Sequence, residues 1–242
     1  MTAETTTSFV PPWEPLGRAI ADWYAGDETA EVTVLLDDGH VEALPIAVMA
    51  RHDGWPPADE MALELASGRV LDVGAGVGAH VLELQERGHE VVAIDVLARA
   101  VEVMRRRGVE DARQVDVFGL EDATGFDTIL LLMNGAGIGG DLDGLGRLLA
   151  QCHRLITPLG QILVESADLA ADKGGLAVHR RYPGELTYQM VYRGDTGMPF
   201  PWLFVDAEQL AHSAAHQGLR SQVVFADAAG GYLARLTPDG SG

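Results

Sequence analysis

The sequence predicts an α/β protein with a doubly wound, mostly parallel seven-stranded sheet that ends in a C-terminal antiparallel hairpin. From residue 69 onward, short apolar runs such as VVAI and TILLLM alternate with segments of helical periodicity. Continuous apolar runs are typical of parallel strands that are buried on both faces. Repeated strand–helix units joined by short links indicate a doubly wound sheet.

An N-terminal extension, residues 1–57, precedes this alternation. Apolar residues recur at helical spacing between Trp13 and Tyr24, which predicts a short amphipathic helix. The stretch EVTVLLDDGHVEALPI alternates apolar and polar residues on both sides of an Asp-Gly turn signal, as a β-hairpin does. The extension is therefore expected to add one helix and one hairpin to the main domain.

The main domain, residues 58–242, begins with a helix from Ala58 to Ser67 that leads into the strand RVLDV. The strands EVVAIDV, ARQVDVF, FDTILLLM and QILVESAD follow, with helices between most of them. An insert at 169–204 departs from this rhythm and contains an inserted β-hairpin, GELTYQMVYRG and PWLFV. After a further helix, SQVVFAD and GYLARLT form the closing hairpin. We expect the extension and the insert to form a lid over the strand ends.

The composition argues against several classes of partner. The chain has 242 residues, of which 36 are acidic and 17 basic, and its formal net charge is −19 at pH 7. This charge would repel nucleic acid and an anionic membrane surface, so neither is expected as a partner. The single cysteine, Cys152, cannot form an internal disulfide, and no spacing of histidine and cysteine predicts a metal site. The sequence lacks a secretory signal and an apolar run long enough to span a bilayer, which predicts a cytoplasmic protein.

The most informative segment is LDVGAGVGAH, residues 71–80, in which a strand runs into a glycine loop and a helix follows at once. Glycines let a ligand approach the backbone closely, and the helix N-terminus offers unpaired N–H groups. Asp95 ends the next strand, where a carboxylate can accept the hydroxyls of a ribose. Asp116 ends the following apolar stretch and is suited to accept from an adenine amino group. These residues predict a nucleotide-type ligand.

Two ligands compete for this loop. Gly74, Gly76 and Ala79 also satisfy the relaxed dinucleotide fingerprint G-x-G-x-x-G/A, so the pattern alone leaves NAD open. Asp72 at the mouth of the loop distinguishes the two, because it would repel a pyrophosphate and stabilise an ammonium group. The acids therefore favour a ligand with a cationic amino-acid end, a ribose and an adenine.

On these residues the sequence resembles the class I S-adenosylmethionine-dependent methyltransferases, which have a Rossmann-like fold. The resemblance rests on VLDVGAGVGAH, VVAIDV, QVDVF, and FDTILLLMNGAGIGG followed by LITPLGQILVES, and it covers roughly residues 58–168. It implies methyl transfer from S-adenosylmethionine. Because a lid of the expected size suits a small metabolite, we expect a small-molecule acceptor in specialised metabolism. The alternatives are cyclisation with the same cofactor, an NAD-dependent oxidoreductase, or a non-catalytic regulatory relative. The cofactor-binding residues expected from the loop, the resemblance and charge matching are Asp72, Gly74, Ala75, Gly76, Gly78, Asp95, Val96, Asp116, Val117, Phe118, Met133, Asn134 and Arg51.

The acceptor site matches no specific motif. Aromatic faces attract a sulfonium, and the lid segments carry several aromatic and polar side chains. The substrate residues expected on this basis are Tyr24, Trp55, Asn134, Tyr182, Arg193 and Trp202. The glycines of GAGIGG, after the fourth strand, are expected to make that loop flexible near the substrate. No residue stands out as a catalytic base, no metal is expected, and a homodimer through the inserted strands stays open.

Overall fold

The computed structural model describes residues 9–37, 39–50, 54–169 and 182–240. The N-terminal extension forms the helix and the hairpin that the sequence predicts, followed by one short helix. Their bounds are Glu14–Tyr24 (α1), Glu31–Leu36 (β1), Val41–Pro45 (β2) and Ile46–Ala50 (α2). Helix α1 buries Leu16, Ala19 and Ile20 along one side, and Pro15 in its first turn needs no hydrogen-bond partner for its nitrogen.

The main domain then alternates strands and helices. Its first elements are Pro57–Leu65 (α3), Val70–Val73 (β3), Ala79–Glu86 (α4), Val91–Asp95 (β4), Ala98–Arg107 (α5), Asp111–Gln114 (β5), Phe126–Leu131 (β6), Leu142–Leu155 (α6) and Ile156–Ala167 (β7). The remaining elements are Glu185–Tyr192 (β8), Asp195–Thr196 (β9), Phe200–Leu203 (β10), Ala207–Ala215 (α7), Leu219–Ala226 (β11) and Gly231–Pro238 (β12).

Seven strands form the main sheet in the order β11-β12-β7-β6-β3-β4-β5. Strands β3 to β7 run parallel, whereas β12 pairs antiparallel with both β7 and β11. This confirms the predicted fold class. From β3 the chain first moves outward to β4 and β5 and then returns to place β6 on the other side of β3. Open α/β sheets bind ligands at the carboxyl ends of the strands at such a switch point.

A second, antiparallel sheet joins segments that lie far apart in the sequence. Its order is β10-β8-β1-β2, with β9 paired to β8. The contact between β1 and β8 runs from Thr33 opposite Val191 to Leu36 opposite Tyr188. The hairpin of the extension and the strands of the insert therefore form one sheet, which we call the lid sheet. Alternate residues of its inner face are buried against the main domain, namely Val32, Val34, Leu186, Tyr188, Met190 and Tyr192.

Two strand boundaries differ from the sequence prediction. The strand expected at ARQVDVF ends at Gln114, because Asp116 accepts a hydrogen bond from the Phe118 amide and starts a 3-10 turn. The strand expected at QILVESAD starts earlier, at Ile156, which pairs with Phe126 ahead of a bulge in the ladder. Among the helices that the structure describes, none combines the length and apolar composition needed to cross a bilayer.

Candidate active site

A cavity of about 570 Å³ lies between the carboxyl ends of the central strands and the inner face of the lid sheet. Its size falls within the range of roughly 300–1,000 Å³ typical of small-ligand sites. The main sheet contributes, among others, Gly74, Gly76, Asp95, Val96, Asp116, Phe118, Met133 and Asn134. The extension and the insert contribute, among others, Trp13, Glu42, Met49, Tyr188, Phe200 and Trp202. Segments that lie far apart in the chain therefore meet around one space.

Asp95 fixes the glycine loop to the end of β4. Its Oδ2 accepts from the Gly76 amide at 3.0 Å, and its Oδ1 accepts from the Leu97 amide at 2.8 Å. Gly74 and Gly76 adopt φ values of +72° and +56°, which favour glycine. Burial raises the pKa of Asp95, and the hydrogen bonds from the two amides oppose this effect. Carboxylate oxygens have a second lone pair, so Asp95 can still accept from a ligand hydroxyl.

Asp116 and the turn after it form the end of the cavity at β5. Asp116 Oδ1 accepts from the Phe118 amide at 3.0 Å, which caps the 3-10 turn Val117–Gly119. Gln151 holds this turn from α6 by donating to the carbonyls of Val117 at 2.8 Å and Leu120 at 2.9 Å. The Phe118 ring is exposed on the cavity lining, and Val117 is buried beside it. A flat apolar group therefore has an aromatic ring on a held turn to lie against.

Two consecutive residues after β6, Met133 and Asn134, have φ values of +53° and +59°. This left-handed conformation is strained for residues other than glycine, and such strain often occurs at functional sites. Glu165 accepts from the Met133 amide at 2.6 Å. Asn134 donates from Nδ2 to the Leu203 carbonyl at 3.1 Å and accepts from Ser166 Oγ at 2.8 Å. The neighbouring strand and the insert therefore hold this turn against the cavity.

The comparisons with known proteins agree with this geometry. Residues 70–160 match a family model described as a methyltransferase domain. An S-adenosylmethionine-dependent methyltransferase from Bacteroides fragilis, solved with S-adenosyl-L-homocysteine, is 39% identical, with a TM-score of 0.86 over 97% of this chain and 99% of that one. The chain belongs to the S-adenosylmethionine-dependent methyltransferases. No curated protein matches the chain.

More distant solved structures share the fold of this methyltransferase. The sugar N-methyltransferase KedS8 from a Streptoalloteichus species is 15% identical, with a TM-score of 0.60 over 80% of this chain and 91% of that one. The glycopeptide N-methyltransferase MtfA, solved with S-adenosyl-L-methionine, is 20% identical, with a TM-score of 0.53 over 76% and 86%. The family membership decides between the two nucleotide ligands that the loop allows, and the cofactor is S-adenosylmethionine.

The residues present in the methyltransferase fit this cofactor. Asp72 is 3% exposed, and its Oδ2 has no hydrogen-bond partner among the described residues. Burial raises its pKa to about 6, while the nearby His80 opposes this effect and Asp95 and Asp59 add to it. A buried carboxylate oxygen without a donor is rare in folded proteins and suits an ammonium or a bound water. The carboxylates of Asp95 and Asp116 and the ring of Phe118 suit the adenosine end.

Three of the predicted cofactor residues lie behind the surface of the cavity. Asp72, Ala75 and Gly78 are absent from its lining. A Cβ on Gly78 would lie 2.9 Å from Val109 and 3.0 Å from Met104 of α5, so this glycine is required for close packing there as well as for its φ of +78°. Arg51 lies outside the described residues.

Trp202 belongs to a wall of aromatic rings that lines the lid side of the cavity. Its ring stacks on Tyr188 with 5.9 Å between centroids, and it meets Trp13 edge-on at 5.6 Å. The ring centroids of Phe200 and Trp13 are 4.3 Å apart. Gly137 packs directly under Trp202, where a Cβ would overlap the ring, and a Cβ on Gly139 would lie 2.7 Å from the Leu145 amide nitrogen. These glycines of GAGIGG therefore allow close packing, rather than the flexibility that we expected.

The other expected substrate residues, apart from Asn134, lie outside the cavity lining. Trp55 packs on His80 with 4.9 Å between ring centroids. The Tyr182 hydroxyl donates to Asp206 Oδ2 at 2.5 Å and accepts from the Asp206 amide at 2.8 Å. The Arg193 guanidinium pairs with Asp22 at 2.8 Å and with Asp27, and the exposed Tyr24 also lies outside the lining.

Two features of the site were missed in the sequence. Glu42 carries a carboxylate on the lid side of the cavity. Asp59 and His80 form a buried pair close to Asp72. Both left a signal in the sequence, because each acid occupies a position that the local periodicity assigns to an apolar face. Asp59 shares the buried face of α3 with Ala58, Ala62 and Leu63, and Glu42 lies opposite Val34 in the hairpin.

Proposed function

We propose that this methyltransferase transfers the methyl group of S-adenosylmethionine to a small-molecule acceptor held under the lid sheet. The observation that carries the proposal is the single cavity shared by the cofactor residues and the aromatic wall. A cavity of about 570 Å³ that is roofed by a sheet has room for the cofactor and a small molecule. Macromolecular acceptors would need an open surface next to the reacting atoms.

In this proposal each part of the cofactor has its own set of residues. Asp116, Val117 and Phe118 hold the adenine, and Asp95 with Val96 holds the ribose. Gly74 and Gly76 lie against the methionine end, whose ammonium faces Asp72 directly or through a water. Met133 and Asn134 border the place where the methyl group is presented. When bound, the cofactor supplies a sulfonium-activated methyl group for in-line displacement.

The chain's own contribution to the reaction is alignment and the exclusion of water. Placing two reactants in line can lower the barrier by roughly 7–11 kcal/mol when the bound geometry is close to that of the reaction. The aromatic wall and Met190 supply an apolar surface against which an acceptor can be oriented. The fixed turn at Met133 and Asn134 keeps the opposite wall in place.

The acceptor class and the biological setting are parts of the same proposal. KedS8 and MtfA, by name a sugar and a glycopeptide N-methyltransferase, have the same fold and support a small acceptor. A net charge of −19 opposes binding to nucleic acid or an anionic membrane. We therefore propose a reaction of specialised metabolism in the cytoplasm, with pairing of two copies through the lid strands as an open variant.

Calorimetry with S-adenosylmethionine and S-adenosylhomocysteine tests the cofactor site. Asp95→Ala is expected to weaken S-adenosylhomocysteine binding about 10- to 100-fold, since a hydrogen bond to a charged group contributes roughly 1.5–3 kcal/mol. Asp143→Ala, which removes an exposed carboxylate in the first turn of α6, is the matched control. Equal affinity in both variants would contradict the assignment of Asp95. Product mass distinguishes methylation, which adds one methyl group, from cyclisation, which releases methylthioadenosine.

A further inference from the structure

We propose that the acceptor is an amine carried on an apolar body, and that Glu42 receives the ammonium form of this amine. This inference rests on the proposed function, because it names the acceptor class of the same cavity. It is carried by the position of Glu42 in the lid sheet, by the charge of the cavity and by the aromatic wall.

Glu42 lies on the inner face of the lid sheet. The register of the hairpin places Glu42 opposite Val34 and Leu44 opposite Val32. Val32 and Val34 are buried, so the two residues paired with them share the face that turns toward the main domain. Strand β2 is the edge of the lid sheet, and Glu42 is exposed while it also lines the cavity. Glu42 therefore lies at the solvent-exposed edge of the cavity lining.

The charge of the described cavity lining is negative. Its titratable side chains are Glu42, Asp95, Asp116 and Tyr188. Asp95 and Asp116 lie at strand ends on the cofactor side, whereas Glu42 comes from the lid. Within a cleft, charges of one sign attract ligands of the opposite sign and repel those of the same sign. This lining favours a cationic acceptor over a carboxylate, a phosphate or a sulfate.

The aromatic wall is suited to the rest of such an acceptor. Tyr188 and Trp202 lie on β8 and β10, toward the opposite edge of the lid sheet from β2, which carries Glu42. Strands β2 and β8 flank β1, which separates them by about 10 Å at the usual strand spacing. An apolar body of that length can lie along the rings while its nitrogen stays near a carboxylate. Aromatic faces also attract the positive charge of an amine.

Methyl transfer to the neutral form of an amine keeps the charge in this cavity constant. The bound ammonium first gives a proton to water, which leaves a neutral amine. The nitrogen lone pair then forms the new bond to the methyl carbon, while the bond from sulfur to that carbon breaks and its electron pair stays on sulfur. Positive charge passes from sulfur to nitrogen, and the methylated ammonium is the product. Carboxylates and aromatic faces stabilise positive charge at the start and at the end.

A matched acceptor panel tests the class of acceptor. Aryl-alkyl and cyclohexyl-alkyl amines are compared with alcohols and carboxylates of the same length. One readout is methylated product by mass. The second is binding to the complex with S-adenosylhomocysteine, followed by tryptophan fluorescence, since two of the four tryptophans, Trp13 and Trp202, line the cavity. Amines are expected to bind and react in preference to their matched alcohols and carboxylates.

Two variants test the role of Glu42. Glu42→Gln is expected to raise the KM for the amine about five-fold and to leave kcat and the Kd for S-adenosylhomocysteine unchanged, as for one partly exposed ion pair. The increase should shrink in high salt. Glu31→Gln, which changes an exposed carboxylate on the outer face of the same sheet, is expected to leave the KM for the amine, kcat and the Kd for S-adenosylhomocysteine unchanged.

The outcomes separate this inference from the proposed function. If the protein binds neither S-adenosylmethionine nor S-adenosylhomocysteine, the proposed function fails. If it binds them but prefers alcohols or carboxylates, or binds no amine of the panel, the inference alone is overturned. If Glu42→Gln loses affinity for S-adenosylhomocysteine while the KM for the amine is unchanged, Glu42 binds the cofactor rather than the acceptor. That result would also overturn the inference.

Discussion

The imidazole Nε2 of His80 lies 2.6 Å from Oδ1 of Asp59, and both side chains are buried behind the glycine loop. Asp59 lies in the first turn of α3, and His80 lies in the first turn of α4, directly after the loop. An ionised carboxylate only accepts, so the imidazole is the donor. The Trp55 ring packs against the ring of His80, with 4.9 Å between the ring centroids. The pair therefore ties the start of α4, and with it the end of the loop, to the preceding helix.

Removing the acceptor of this pair should destabilise the fold. In Asp59→Ala the buried imidazole N–H has lost its partner, which is expected to lower the free energy of unfolding by about 1–3 kcal/mol. Glu60→Ala changes the next residue, which is exposed, and should stay within about 0.5 kcal/mol of the wild type. Urea unfolding measures both variants. A similar loss of unfolding free energy in both variants would show that the Asp59–His80 pair stabilises the fold no more than an exposed residue does.

Asp72 should make stability fall as the pH rises from 3.8 to 6. Burial raises the pKa of this carboxyl from its ordinary value of 3.8 to about 6 in the folded protein. Between these values the folded state keeps a proton that the unfolded state has lost, so unfolding becomes easier with rising pH. Asp72→Asn removes this dependence, and its stability relative to the wild type should rise by about 3 kcal/mol from pH 3.5 to pH 7. Denaturant unfolding at the two pH values measures the difference, and a constant difference would contradict the raised pKa.

The same carboxyl should make cofactor binding dependent on pH. The ammonium of S-adenosylhomocysteine favours the ionised form of Asp72, whose pKa in the free protein is raised to about 6 by burial. Affinity is therefore expected to increase between pH 5 and pH 7 in the wild type. Calorimetry across this range should give a flatter profile and weaker binding in Asp72→Asn. An equally steep profile in the variant would assign the pH dependence to another group.

The cofactor side of the cavity follows from local features of the sequence, whereas the lid side does not. The glycine loop and Asp95 stand at strand ends that periodicity alone identifies, and parallel strands bring such ends to one edge of the sheet. The lid depends on the pairing of β1 with β8, which are far apart in the chain, and no local pattern specifies that pairing. The aromatic wall shows the same difference. We expected Trp202 at the site, but not Trp13, Tyr188 and Phe200, because tertiary contacts that no local pattern specifies bring these rings together.

Cys152 should be inert to thiol reagents while the protein is folded. It is the single cysteine of the chain, it has no exposed surface, and burial raises its pKa to about 12. Because the thiolate is the reactive form, labelling requires both exposure and ionisation, which unfolding provides together. Labelling at pH 8 is therefore expected to follow the fraction of unfolded protein measured by circular dichroism. Rapid labelling of folded protein would show that α6 opens locally.

Gly137 should be intolerant of any side chain, because the Trp202 ring occupies the space of its Cβ. Gly137→Ala is expected to displace Trp202, lower the free energy of unfolding by about 1–3 kcal/mol and raise the KM for the acceptor, with the affinity for S-adenosylhomocysteine less affected. Gly146→Ala is the matched control, since its Cβ would lie 3.8 Å from Gln217 Nε2, an ordinary contact distance, and alanine favours the interior of a helix such as α6 by up to about 1 kcal/mol. Thermal unfolding should therefore move in opposite directions in the two variants. A Gly137→Ala protein as stable as Gly146→Ala would mean that the wall of rings can shift, and that Trp202 does not fix the shape of the acceptor side.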